Sequence, residues 1–332
     1  MTAVTPGTTA AGTMTAIVQD EYGTAPEAVL RLAGIATPAI ADDEILVRVR
    51  ATSVDRGTWH LMAGLPYPIR LAGFGLRRPK APNPGRSLAG TVESAGPKAT
   101  QFVPGDEVYG TCDGSFAPYA RAQAGRLAPK PANLSFVQAA AVPVSALTAL
   151  QAVRDQARVQ PGQKVLIVGA SGGVGTFAVQ IAKAFGAEVT GVCSTAKTDL
   201  VRSIGADRVI DYTREDFADG QHRYDVILDI GGGNGLSHLR RALTRRVQPV
   251  RAISASRRSF VDSAEESTNG VSSDGGTAAA GAAAEGQGLV AAADRAAGRL
   301  LAPGGRADRP GCFAAPGPAA PVGSRARPAA VV

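Results

Sequence analysis

The stretch Lys164 to Phe177, KVLIVGASGGVGTF, limits the possible folds more than any other part of the chain. Its apolar run reads as a short buried strand, the glycine cluster as a tight turn, and the residues after it as a helix. A helix that begins directly after a strand offers unpaired N–H groups and partial positive charge at its first turn, which together make a cradle for an anion. Ala170, Ser171, Gly172, Gly173, Val174 and Gly175 supply that turn. Gly172 and Gly173 let backbone approach a pyrophosphate, and Gly175 permits close packing of helix on strand. A glycine turn alone says little. Here the strand precedes, the helix follows, and a second strand, EVTGVCS, arrives on the schedule of a dinucleotide-binding unit.

The surrounding pattern divides the chain. From Met14, TAIVQ reads as a strand, and EILVRVRATSV alternates Ile45, Val47 and Val49 against Leu46, Arg48 and Arg50. RSLAGTVESAG, GDEVYGT and SFAPYARA continue this strand-only pattern to about residue 135, after residues 1–13, which read as a loose extension. SFVQAAAVPVSALTALQAVRDQA is helical in composition and interrupted at Pro143. From there to residue 244 short apolar runs (KVLIVGA, EVTGVCS, RVIDY, YDVILDI) alternate with helices, the mark of a parallel sheet. The expected fold is a β-rich domain over 14–135 followed by a doubly wound α/β domain over 136–244.

The end of the second strand bears on the cofactor. A site for NAD places a carboxylate there to bond the ribose hydroxyls. EVTGVCSTAK instead offers Ser194, Thr195 and Lys197, hydroxyls and an ammonium that can receive a 2′-phosphate, so NADPH is expected over NADH.

Composition excludes several classes. The net charge of +7 comes largely from arginines after Arg240, scattered among Ala, Gly and Pro without interleaved aromatics, which argues against nucleic-acid binding. No window approaches a membrane span, and MTAVTPGTTAAGT has neither the charged start nor the apolar core of a signal peptide. Cys112, Cys193 and Cys312 lie far apart, with no disulfide framework or metal spacing. A cytoplasmic location is expected.

VPVSALTALQAV, VLIVGASGGVGTFAVQIAKAFGAEVTGVCST, LVRSIGADRVIDYTREDF and YDVILDIGG resemble the zinc-independent quinone oxidoreductases of the medium-chain dehydrogenase/reductase superfamily. ILVRVRATSVD, PGRSLAGTVESAG and FVPGDEVYGTCDGSFAPYA extend the resemblance through the β-rich half, so that it covers Met14 to Thr244. It implies a GroES-like catalytic domain, a Rossmann domain, a C-terminus that returns to the catalytic domain, and a homodimer. It also implies that Lys197 and Tyr212 contact the 2′-phosphate and that Thr148 lies near the nicotinamide. Where zinc-dependent members of the superfamily carry Cys and Gly-His-Glu, this chain has Ser53 and then Gly85, Arg86 and Ser87, poor zinc ligands, so no zinc is expected.

Without a Lewis acid, a conjugated acceptor is the easier target, because the charge that develops after hydride arrival is delocalised. The expected substrate is a quinone, an enone or an aldehyde. An NAD(P)-dependent alcohol dehydrogenase is one alternative, and an inactive remnant that binds nucleotide or a partner is another. Asp55 matches a position where relatives have a substrate-facing Asn, although an ionised carboxylate cannot donate a hydrogen bond. His60 stands where some relatives carry a tyrosine, and imidazole trades protons near neutral pH. Tyr67 is a further candidate donor. Trp59 reads as core packing, and Cys193 as a small buried residue.

After Thr244 every periodic signal stops. Residues 245–332 are rich in Ala, Gly, Pro and Arg, with Phe260 and Phe313 the only aromatics. RRALTRRVQPVRAISASRRSF stands where a fifth sheet strand is due and shows no apolar run. Such a tail is expected to be disordered apart from a helix in GLVAAADRAAGRLLA, and the sheet is expected to be incomplete. A frameshift near Thr244, or a genuine extension on a shortened enzyme, would produce it. A half-built sheet has an exposed edge and points to a chain that folds poorly or lacks activity.

Overall fold

The computed structural model describes residues 12–244, 252–254 and 330–331. A hairpin comes first, β1 (Thr13–Gln19) antiparallel to β2 (Leu30–Ala36), with the short helix α1 (Pro26–Val29) between them. Next, β3 (Glu44–Thr52) pairs antiparallel with β4 (Ser87–Ala95) and with β6 (Tyr119–Gln123), and the sheet continues through β5 (Glu107–Thr111) to β7 (Leu127–Pro129). Ile45, Val47 and Val49 are buried while Arg48 and Arg50 face solvent, as the period-two pattern requires. The same core takes in Leu88, Val92, Phe102, Val108 and Leu127.

The strand-only pattern expected for this half is broken by a helix, α2 (Arg56–Ala63). Its ends explain it. Asp55 stands at the N-cap, where its carboxylate accepts from the Thr58 amide at 2.8 Å, and Gly64 closes the helix at φ 62°. Asp55 is therefore first a helix cap.

The connection to the second half is helical. α3 (Phe136–Ala141) starts on a reciprocal cap in which Ser135 and Gln138 satisfy each other's backbone amides. α4 (Pro143–Leu150) begins on Pro143, where a missing N–H breaks no helical bond, and runs into a wider turn over Gln151–Gln156. A parallel sheet follows. Its strands β8 (Lys164–Val168), β9 (Glu188–Cys193), β10 (Arg208–Asp211) and β11 (Val226–Asp229) alternate with α5 (Gly173–Ala184), α6 (Thr198–Ser203) and α7 (Leu236–Ala242). With β12 (Ala252–Ser254) the spatial order is β10-β9-β8-β11-β12, the doubly wound arrangement.

Strand β8 is buried on both faces. Val165 and Ile167 pack with Val179, Ile181 and Leu228 on the α5 side, whereas Leu166 and Val168 pack with Ile210, Ile227 and Leu239 on the other. That is why the strand reads as a continuous apolar run instead of an alternation.

One short piece of the segment after Thr244 joins the parallel sheet. Ala252–Ser254 pairs in parallel with β11, Ile227 opposite Ala252, and fills the fifth position although no apolar run marks it. Three residues of backbone pairing are enough to add an edge strand, and backbone pairing makes no demand on composition. β13 (Ala330–Val331) pairs with Ala51 and Thr52 of β3, a return of the chain's end to the first sheet. The helix expected in GLVAAADRAAGRLLA and the rest of the 245–332 tail lie outside the described residues, as do residues 1–11. Among the described residues no helix is long and apolar enough to cross a membrane.

Leu166 is wholly buried at the centre of the parallel sheet. Leu166→Ala is expected to lower the unfolding free energy of this half by about 2–5 kcal/mol in urea titration, because the surrounding sheet cannot close on the cavity left behind.

Candidate active site

The glycine turn adopts the geometry its sequence requires. Gly169 has φ +83°, and its carbonyl accepts from the Gly172 amide at 3.0 Å. A Cβ placed on Gly175 would come within 2.1 Å of the Gly169 carbonyl oxygen, so only glycine allows α5 to seat this close to the end of β8. Gly172 is the N-cap and no side chain caps the helix, which leaves the amides of Gly173, Val174 and Gly175 as the free donors of the first turn. Gly172 and Gly173 are exposed, Ser171 and Val174 half-buried, and Ala170 and Gly175 buried.

Helix α4 packs against this turn. Thr148 is half-buried and its hydroxyl donates back to the Val144 carbonyl at 2.8 Å. Ser145, one helical turn earlier, was not among the residues singled out by sequence. It is buried, and its Oγ lies 3.2 Å from where a Cβ of Gly173 would stand. The i, i+3 spacing of Ser145 and Thr148 is the signal that could have found it.

At the other end of the cradle, Tyr212 donates its backbone N–H to the Cys193 carbonyl at 3.1 Å, and the Lys197 amide donates to the Ser194 carbonyl at 2.9 Å. These bonds bring Ser194, Thr195, Lys197 and Tyr212 to one corner of the sheet, with the last three exposed and Ser194 half-buried. The corner also holds a carboxylate. The end of β9 has none, in keeping with the sequence, but the end of β10 brings in Asp211, buried to 7% exposure. Asp211 accepts from the hydroxyls of Thr195 and Thr213 and from the Thr213 amide. The Thr195 hydroxyl hydrogen is thus already committed, and Thr195 serves this corner by fixing its backbone. The hydrogen bond from Thr195, then those from Thr213, hold the Asp211 carboxyl below the ordinary carboxylate range against the opposing effect of burial. Cys193 is buried as expected, and burial, followed by the Asp211 charge, pushes its thiol up.

The residues expected to handle protons lie around α2. Asp55 has one oxygen in the helix cap and the other buried without a partner. His60 has Nδ1 at 2.8 Å from the Leu65 carbonyl. A carbonyl only accepts, so Nδ1 carries a hydrogen and Nε2 is the atom left to exchange a proton. Trp59 is half-buried, set between His60 and the guanidinium of Arg56, and so is less enclosed than core packing implies. Tyr67 is 69% exposed, with Arg70 against its ring. Among the described residues no hydrogen bond, ion pair or ring contact joins Asp55, His60 or Tyr67 to the glycine turn.

Two family models match this chain, the alcohol dehydrogenase GroES-like domain over residues 41–132 and zinc-binding dehydrogenase over residues 173–246. A chloroplastic quinone-oxidoreductase homolog of Spinacia oleracea is 33% identical over 240 residues, covering 68% of this chain and 70% of that protein. A 2-methylene-furan-3-one reductase of Solanum lycopersicum is 34% identical over 226 residues, 64% of this chain; the chain spans only 55% of that relative's length. The quinone oxidoreductase of Escherichia coli, solved in complex with NADPH, superposes with a TM-score of 0.61 at 28% identity, over 70% of this chain and 71% of its own. The chain belongs to the medium-chain dehydrogenase/reductase superfamily, with quinone oxidoreductases among its relatives.

The zinc for which the second family is named does not fit the residues here. Ser53 and Arg86 offer a hydroxyl and a guanidinium, Cys112 is fully buried with its thiol pushed far up by desolvation, and among the described residues no three His, Cys, Asp or Glu side chains gather.

Because its folded-state ionisation lies below the ordinary value of 3.8, Asp211 contributes stability above that pH and loses it as the pH falls through the folded value. Asp211→Asn is therefore expected to be less stable than the parent at neutral pH, with the gap closing in thermal melts taken below about pH 4.

Proposed function

We propose that the protein transfers hydride from NADPH to a quinone or an α,β-unsaturated carbonyl without zinc. The observation that carries this reading is the pairing of an open helix N-terminus at Gly173–Gly175 with a corner of the same sheet that presents Ser194, Lys197 and Tyr212. The first suits a pyrophosphate and the second suits a 2′-phosphate. Among relatives, the Escherichia coli enzyme was solved with NADPH and the tomato protein is named for reduction of a conjugated ketone, which supports the same choice.

In this reading, residues 136–244 hold the cofactor and residues 14–135 the substrate. The amides of Gly173, Val174 and Gly175 hold the pyrophosphate, Lys197 and Tyr212 the 2′-phosphate, and Ser145 and Thr148 stand beside the nicotinamide end. The bound dinucleotide supplies the hydride. His60 supplies the proton through Nε2, its ring aimed by the Nδ1–H bond to Leu65. Asp55 acts by holding the first turn of α2, which carries His60. Tyr67 is the second candidate for the proton. The cysteine usage suits the cytoplasm.

The test is turnover of NADPH with 1,4-benzoquinone and with methyl vinyl ketone, followed by the loss of reduced-nicotinamide absorbance. Lys197→Ala is expected to raise KM for NADPH by about tenfold to a hundredfold, with KM for NADH unchanged, since only the 2′-phosphate meets the ammonium. His60→Gln is expected to lower kcat for the enone by about a hundredfold or more. Oxidation of a plain secondary alcohol as fast as quinone reduction would instead support the alcohol dehydrogenase reading, and cofactor binding with no turnover the inactive one.

A further inference from the structure

A cavity of about 760 Å³ lies in the first half of the chain, bounded by α2, the β1–β2 hairpin and the segment leading into β4. It is lined by neither the glycine turn nor Thr148, nor by Asp55, His60 or Tyr67. Its volume falls in the range of small-molecule sites.

Three side chains on its wall carry buried polar atoms with no hydrogen-bond partner: Thr58 Oγ1, Asn83 Oδ1 and Arg86 Nε. Thr58 is only 5% exposed. Arg86 is half-buried, and its buried Nε–H has no acceptor. A buried N–H, hydroxyl or amide oxygen left unpaired is costly, and native structures avoid it unless something else supplies the partner. Here a hydroxyl, an amide oxygen and a guanidinium Nε–H are left open on the same cavity.

We propose that this cavity is a binding site for a small organic carboxylate that carries a second polar group. The planar fork of Arg86 takes the carboxylate, and Thr58 and Asn83 take a hydroxyl or N–H on the same molecule. Leu61, Met62 and Phe74 form an apolar stretch of the wall that suits a carbon body and that a bare inorganic anion would not use. Lys80, Arg121 and Arg126 add positive potential, while Asp113, the one carboxylate on the lining, opposes a second negative charge on the ligand. The site thus favours a monoanion. It does not depend on the nicotinamide reading, and binding is expected without any cofactor.

The experiment is isothermal titration of the full chain, free of nucleotide, with 4-hydroxybenzoate and with its neutral counterpart 4-hydroxybenzamide. Emission of Trp59, the only tryptophan and the neighbour of Thr58, is the local readout. The acid is expected to bind about tenfold or more tighter than the amide, as a charge-assisted hydrogen bond requires, and to shift the Trp59 emission. Arg86→Met is expected to abolish that preference, whereas Thr58→Val is expected to weaken both ligands and keep it. Equal affinity for acid and amide in the parent, no binding of either, or an acid preference that survives Arg86→Met would overturn the proposal. If Arg86→Met fails to fold by near-ultraviolet circular dichroism, Arg86→Lys decides. Retained but weakened preference for the acid supports the proposal, and an unchanged preference overturns it.

Discussion

At Gly175 a helix comes so close to the turn that precedes it that no Cβ could stand between them, 2.1 Å from the Gly169 oxygen. Much else depends on that approach. It sets the axis of α5 against β8, which lets Val179 and Ile181 reach the same cluster as Val165 and Ile167. It also directs the first amides of α5 into open space at the C-terminal end of the sheet, with no side chain capping them. One packing requirement therefore serves both the core and the anion cradle. A β-branched residue at this position would disrupt the two together.

Both halves keep some buried polar atoms without a partner, Arg208 and Tyr224 among them in the second, but the buried carboxylates differ. Around the parallel sheet, buried carboxylates are satisfied: Asp211 by two threonine hydroxyls and an amide, and Asp229 by the Gly232 amide and Asn234. Both stand at C-terminal strand ends, where loops turn back and present donors, and they hold in shape the loops that border the cradle. In the β-rich half, the Asp55 carboxylate keeps one buried oxygen without a partner, and Thr58, Asn83, Arg86 and Ser87 each keep a buried atom unpaired.

Much of this was legible in the sequence because short-range geometry generates it. The alternation of Ile45, Val47 and Val49 is a strand with one buried face, the run Val165 to Val168 is a strand with two, and Pro143 marks a helix start. The glycine spacing specified the turn. Helix α2 was also legible in principle, since Asp55 and Gly64 are ordinary helix ends; the strands on either side set the expectation that masked it. Strand β12 was not, because an edge strand of three residues is held by backbone bonds that leave no mark in composition.

The sequence by itself determined which backbone could form the cradle and that Ser53 and Arg86 are poor zinc ligands, because a missing Cβ and a missing thiolate are properties of single residues. The tertiary structure alone decided that Asp211 sits beneath Thr195, that Ser145 meets Gly173, and that Thr58, Asn83 and Arg86 share one cavity. Each of these joins residues distant in sequence or on different elements. Parallel pairing and helix packing set such meetings, and a one-dimensional pattern does not record which element lies beside which.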